Sequence, residues 1–151
     1  MGSKPVAAEA LKTLRRVLLV TVVASMIGVE AELFLLAHVK PLLQLIPVLL
    51  IGLGLGSLVQ FAFSRSQRSI KVFQLTMALC IASGVLGFFL HLAFSTAEAK
   101  KKDGTLQGTK LLRTALTGAA PPFAPGAMIQ IGLIGLAYTY RHPALDSAHK
   151  G

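Results

Sequence analysis

The chain has 151 residues, 54% of them hydrophobic and 14% charged, with a formal net charge of +9. With a mean hydropathy of +0.69, this composition is too apolar for an ordinary soluble domain of this size, and it leaves no room for a separate soluble catalytic domain. The positive balance does not point to nucleic acid as a partner, because Lys and Arg collect in the cytoplasmic flanks of membrane spans for topological reasons.

Four apolar runs follow one another: Val17 to His38, Leu42 to Phe63, Val72 to Leu92 and Pro125 to Tyr140. A bilayer core about 30 Å thick takes about 20 helical residues. Three runs reach that length, and the fourth covers about 24 Å. The expected fold is therefore an all-α membrane protein, residues 1–151 forming a single domain. Its core would be a four-transmembrane-helix antiparallel bundle with a short interfacial amphipathic helix before the fourth span.

Ahead of the first run, the Ala-Ala-Glu-Ala-Leu-Lys stretch favours helix, so the first helix is expected to begin before the membrane, with Arg15 and Arg16 at headgroup level. The first run is too long for a signal-peptide core and is expected to act as an uncleaved insertion signal. Val39, Lys40 and Pro41 form a minimal link, which predicts a tight hairpin between the first two spans. Pro47 predicts a kink early in the second span, and Gly52 with Gly56 a small-residue face for close helix packing. Ser83, Gly84 and Gly87 offer a similar face on the third span, while Gln60 and Gln74 suit hydrogen bonds between helices.

Beyond the third span, Glu98 to Gly108 reads as a charged, flexible loop. Leu111, Leu112, Ala115, Leu116 and Ala119 then recur at helical spacing opposite Lys110, Arg113, Thr114 and Thr117, which predicts the interfacial helix at about 109–119. Pro121, Pro122 and Pro125 break the helix, and Pro125-Gly126 restarts it towards Gln130 and Tyr140. The proline-bearing turn would dip into the membrane, where irregular backbone is tolerated only against protein or water.

With four spans, the amino terminus, the link Ser64 to Lys71 and the carboxyl terminus share a side. Lys4, Lys12, Arg15, Arg16, Arg65, Arg68, Lys71, Arg141 and Lys150 lie there, so both termini are expected to be cytoplasmic. Lys100, Lys101, Lys102, Lys110 and Arg113 in the third connector oppose that assignment.

The residues most suggestive of chemistry are Glu30 and Glu32, about 10 Å and 7 Å inside the outer end of the first span. Ionisable groups at such depth are costly and usually face the bundle interior or a wet cavity. Two positions apart on a helix, they project about 200° from each other and cannot form a side-by-side pair. Three readings stand: a carboxylate that fastens the bundle through the broken backbone near Pro125, a proton, ion or ligand site, or an assembly contact. His38, Gln44, His91 and Gln130 share the outer half of the membrane and complete a candidate polar pocket. No cofactor is predicted. His38 with His91 is the pair through which haem, a divalent metal or a quinone would be contacted, although histidines at helix ends more often simply sit among headgroups. Phosphate-binding, nucleophile-elbow and paired-cysteine motifs are absent, and Cys80 is the single cysteine, so an enzyme is not expected.

Two stretches, Glu30 to His38 continuing to Gln44-Leu-Ile-Pro47, and Thr117 to Gly126 continuing through Gln130 to Pro143, resemble a group of small, uncharacterised bacterial four-span inner-membrane proteins. The resemblance covers about a third of the chain and implies a bacterial inner membrane, without supplying an activity. The expected function is a polar pocket in the outer leaflet that binds or passes a small molecule, ion or proton. The alternative is an accessory or redox subunit of a membrane complex. The expected partners are the lipid bilayer and either a larger membrane complex or a homo-oligomer.

Overall fold

The computed structural model describes residues 3–35, 45–117 and 123–146, and among these every regular element is a helix. The elements are α1 (Ser3–Leu35), α2 (Leu45–Ser64), α3 (Gln67–Lys102), α4 (Gly108–Leu116), α5 (Phe123–Thr139) and α6 (Pro143–Asp146). Three of them, α1, α2 and α3, are long and apolar enough to cross a membrane, and α5 is a shorter apolar helix. As expected from its Ala-rich lead, α1 begins well before the apolar run and extends for 33 residues.

Helix α3 is the hub. It packs most extensively against α5, then against α2, and also against α4 and α6, while α1 packs more against α5 than against α2. The expected tight hairpin of the first two spans has its link, with Pro41, outside the described residues. Pro47 is the third residue of α2 as described, a first-turn position where proline's missing amide costs little.

The α2–α3 link is as tight as the sequence predicts. Arg65 adopts a left-handed backbone (φ 50°), and its amide donates to the Phe61 carbonyl at 2.9 Å, a helix stop usually made by glycine. The Ser66 side chain then accepts the Ser69 amide at 3.3 Å and caps the start of α3.

Helix α3 overturns the first half of the loop expected at Glu98 to Gly108, while 103–107 stays non-helical as expected. It runs for 36 residues to Lys102, about 54 Å and well beyond a bilayer core. Ala97, Glu98 and Ala99, followed by Lys100 to Lys102, are all good helix formers, as in the Ala-rich lead. The chain turns only at Asp103, whose Oδ1 accepts the amide and hydroxyl of Thr105 at 2.9 and 2.6 Å. Helix α4 folds back on the α3 extension, where Ala99 and Ala115 are both buried, leaving Leu112 and Leu116 exposed.

The core joins Val22 and Met26 of α1, Ile51 and Phe61 of α2, Ile70, Phe73, Met77 and Cys80 of α3, and Met128, Ile131 and Tyr138 of α5. On α3, Gly84 and Gly87 pack against α5 at Pro125 as expected, but on α2 the close-packing glycine differs from those expected. Gly52 and Gly56 face open space; Gly54 instead sits against Met26 and Met77. Along the α3–α5 seam, a Cβ on Gly84 would lie 2.6 Å from the Pro125 carbonyl oxygen, and one on Gly132 would lie 2.6 Å from that of Met77. Gln74 donates to Thr139 Oγ1 at 3.2 Å across this seam, the bond its position predicts, whereas Gln60 is exposed.

Candidate functional site

Burial of Val22 and Met26 fixes the rotation of α1, and with it the direction of both glutamates. Ser25, Gly28, Val29 and Glu32 then form one stripe at helical spacing, facing Ala127, Gln130 and Ile131 of α5. Between the two helices lies an open cleft of about 420 Å³ lined by these seven residues. Gly28 supplies the room, since a side chain begun there would meet nothing within 4 Å. The cleft therefore holds a carboxylate, a carboxamide and the Ser25 hydroxyl on otherwise apolar walls. Such a set accepts and donates hydrogen bonds and attracts a cation, but contains no nucleophile paired with a base.

Glu30 does not line the cleft. It is half-buried, and its Oε2 is shielded from solvent with no hydrogen-bond partner. Whether a glutamate fastens the broken backbone before α5 turns on residues 118–122, which lie outside the described residues. Neither Glu30 nor Glu32 bonds to Pro125 or Gly126, which sit in the first turn of α5. The break itself, with Pro121 and Pro122, lies outside the described residues.

Of the other pocket candidates, His38 and Gln44 also fall outside the described residues. His91 is half-buried on α3 and is not part of the cleft wall. Among the described residues no three His, Cys, Asp or Glu side chains come together as a metal site would require. The structure thus unites Glu32 and Gln130 from the predicted set and separates Glu30 and His91 from them.

At the opposite end of the bundle is a cluster whose members the sequence marked as separate basic flanks but did not bring together. Arg15 Nη2 of α1 donates to the Arg141 carbonyl at 2.6 Å, and Gln67 Nε2 of α3 donates to the Leu145 carbonyl at 2.9 Å. These bonds tie the turn after α5 to the start of α1's apolar run, and the short helix α6 to the start of α3. The His142 ring stands edge-on to Phe61 at 5.3 Å and tilted to Tyr138 at 5.5 Å, and the Arg65 guanidinium lies 5.7 Å from the Phe61 ring centre. Burial, together with the Arg15 and Arg65 charges, holds His142 below the ordinary imidazole value. Its Nδ1 accepts the Ala144 amide at 3.2 Å, an arrangement open only to the neutral ring. The members lie far apart in sequence, so no local motif marks them; the one usable signal was that three basic flanks share a side.

Comparison of the chain with protein-family models, with curated proteins and with solved structures gives no match.

Proposed function

We propose that the chain is a four-span integral membrane protein whose α1–α5 cleft binds a small polar or cationic species, or a proton, at Glu32, with Gln130 as the second contact. The carrying observation is the convergence of the intramembrane carboxylate with the polar residue of α5 on one open cleft. An intramembrane ionisable group directed at a wet cavity marks a functional site more often than an accident of packing. In this reading α5 is the fourth span. Its 17 residues cover about 25 Å, and the proline-bearing stretch before it completes the crossing. Helix α4 lies at the interface, and the cluster around Arg15 and Arg141 faces the cytoplasm, as the basic flanks favour. The resemblance to small bacterial four-span proteins supports a bacterial inner membrane as the location. The role is non-catalytic: the cleft offers binding groups and no activated nucleophile.

The test uses two variants that act on the same cleft by different means. Glu32→Gln removes the charge while keeping size and hydrogen bonding. Gly28→Leu fills the cleft from a position where the added side chain meets nothing. In proteoliposomes under an imposed proton or sodium gradient, or in a binding screen of small amines and monovalent cations, both variants should lose the signal of the parent chain. Loss in neither would refute the site. Loss in Gly28→Leu alone would leave the cleft and remove the carboxylate from its function.

A further inference from the structure

We infer that the corner formed by Arg15, Arg65, Arg141 and His142 is a binding site for the phosphate group of an anionic phospholipid. This does not rest on the α1–α5 cleft, which lies at the other end of the bundle.

The corner gathers groups from three separate parts of the chain. Arg15 comes from α1, Arg65 from the α2–α3 link, and Arg141 from the turn after α5. The geometry that joins them is specific: Arg15 donates to the carbonyl of Arg141, the residue before His142, while His142 and Arg65 share the Phe61 ring. Among the described residues no carboxylate pairs with Arg15, Arg65 or Arg141. The Arg15 and Arg65 charges therefore converge on His142 without compensation, while Arg141 gives the corner its carbonyl and lays its own guanidinium over the Tyr140 ring at 5.6 Å. Arg15 Nε is shielded from solvent and lacks an acceptor, so its guanidinium uses one protein acceptor for a fork of five donors. Arg65 and Arg141 both hold left-handed backbone, at φ 50° and 47°, a conformation uncommon outside glycine. The neutral His142, with Nδ1 occupied by the Ala144 amide, carries its proton on Nε2 and adds an N–H donor. Forked guanidinium donors with a neutral N–H donor match the oxygen atoms of a phosphate.

The surroundings favour a lipid over a free ion. Val17 lies two residues beyond Arg15 and is 55% exposed, and Phe63, two residues before Arg65, is 86% exposed. Apolar surface thus continues directly from the cationic corner, where the acyl chains of a headgroup-bound lipid would lie. A basic flank needed only for topology would attract anionic lipid diffusely, through the field of all its charges. The corner predicts instead that particular arginines matter more than their neighbours.

The experiment measures binding of phosphatidylglycerol to the purified full chain in neutral detergent at about 1 M salt, where screening shortens the reach of exposed charges to about 3 Å. Phosphatidylcholine and inorganic phosphate serve as comparisons. Bound lipid is read by native mass spectrometry, and stabilisation by the exposure of Cys80, which is fully buried in the fold. The parent should bind phosphatidylglycerol in preference to phosphatidylcholine. Arg65→Gln, which leaves the Arg15 bond in place, should weaken that binding about tenfold, and Arg15→Gln at least as much. Arg68→Gln removes one charge from an exposed position at the same end and should change binding by less than about twofold. Equal losses in Arg65→Gln and Arg68→Gln, or no lipid preference in the parent, would overturn the site. Stabilisation by inorganic phosphate that equals that by phosphatidylglycerol would overturn the lipid assignment. Should Arg15→Gln fail to fold, Arg65→Gln alone decides.

Discussion

Replacing Gly132 with alanine places a methyl carbon 2.6 Å from the Met77 carbonyl oxygen, 2.5 Å from Ile81 Cγ1 and 3.2 Å from the Ile81 amide nitrogen. Two of these atoms belong to the α3 backbone and cannot swing aside. To restore an ordinary contact of 3.4 Å, α5 must move away from α3 by about 0.8 Å. Overpacking of this kind costs about 1–3 kcal/mol, against a gain of up to about 1 kcal/mol from replacing glycine by alanine inside a helix. Gly52→Ala supplies the reference, since it meets nothing within 4 Å and retains only the gain. The two variants should therefore differ by about 1–3 kcal/mol, or about 2–12 °C in unfolding midpoint for a chain of this size.

Cys80 provides the assay, because its thiol is buried and becomes available to a thiol-reactive fluorophore only as the bundle opens. Gly84→Ala should behave like Gly132→Ala, since its methyl would meet the Pro125 carbonyl at 2.6 Å and the Ile129 amide at 3.0 Å. Once one methyl has separated the helices, the second costs less, so the double variant should lose less than the sum of the two. Gly132→Ala as stable as Gly52→Ala would refute the close approach of α3 and α5. Additive losses would refute a shared, rigid separation of the two helices.

Three further outcomes follow from particular atoms. Glu30→Gln should stabilise the chain in detergent, because the carboxylate oxygen shielded at Oε2 has no partner to lose; destabilisation in the Cys80 assay would show that a partner exists. His142 is held below the ordinary imidazole value, so the unfolded chain binds the extra proton first and stability should fall as pH drops below about 6.5. Unfolding midpoints measured between pH 7 and 5 should show that slope in the parent and a flatter one in His142→Asn; equal slopes would rule out His142 as the source. The bonds from Thr105 hold Asp103 below the ordinary carboxylate range, so the α3–α4 turn should tighten above that range and loosen as pH falls through the lowered value. Faster amide exchange at 104–107 in Asp103→Ala than in the parent at neutral pH would support this, and unchanged exchange would refute it.

The long apolar runs were legible because length and hydropathy alone decide whether a helix can cross a bilayer. So was the tight link around Ser64 and Ser66, where serine caps flank a single arginine. The extension of α3 was less visible: Glu98 to Lys102 is charged enough to read as a loop, yet Ala, Glu and Lys are all good helix formers and continue a helix that already exists. Helix rotation was not legible. A helix that is apolar all round gives no moment to say which side faces in. Gly54, between two glycines that looked equally suitable, turned inward for this reason, and the choice between Glu30 and Glu32 depended on where Val22 and Met26 found their partners. Sequence could place Gln130 in the same half of the membrane as Glu32; only the packing of α1 on α5 puts them on one cleft.

The two ends of the bundle differ in a way that bears on whether the proposed site binds or passes its ligand. Next to the cleft, Met26 and Ile131 are fully buried, with Met77 and Phe73 further along the same core towards the basic end. Beyond them, the bonds from Arg15 to Arg141 and from Gln67 to Leu145 hold that end together. A charged species leaving Glu32 in that direction would have to cross a largely apolar layer whose polar side chains, Ser57, Thr76, Gln74 and Thr139, are already engaged in hydrogen bonds, a costly step in a low-dielectric interior. The described arrangement therefore suits a site open on one side, with binding and release through the same mouth. Passage would require the core to part at Met26 and Met77. Both are unbranched side chains able to repack, and Gly54 lies against both. Gly54→Ala, which crowds them together, should then suppress gradient-driven flux more than it weakens ligand binding to the cleft. Equal effects on both would favour a site that binds and releases on one side of the membrane.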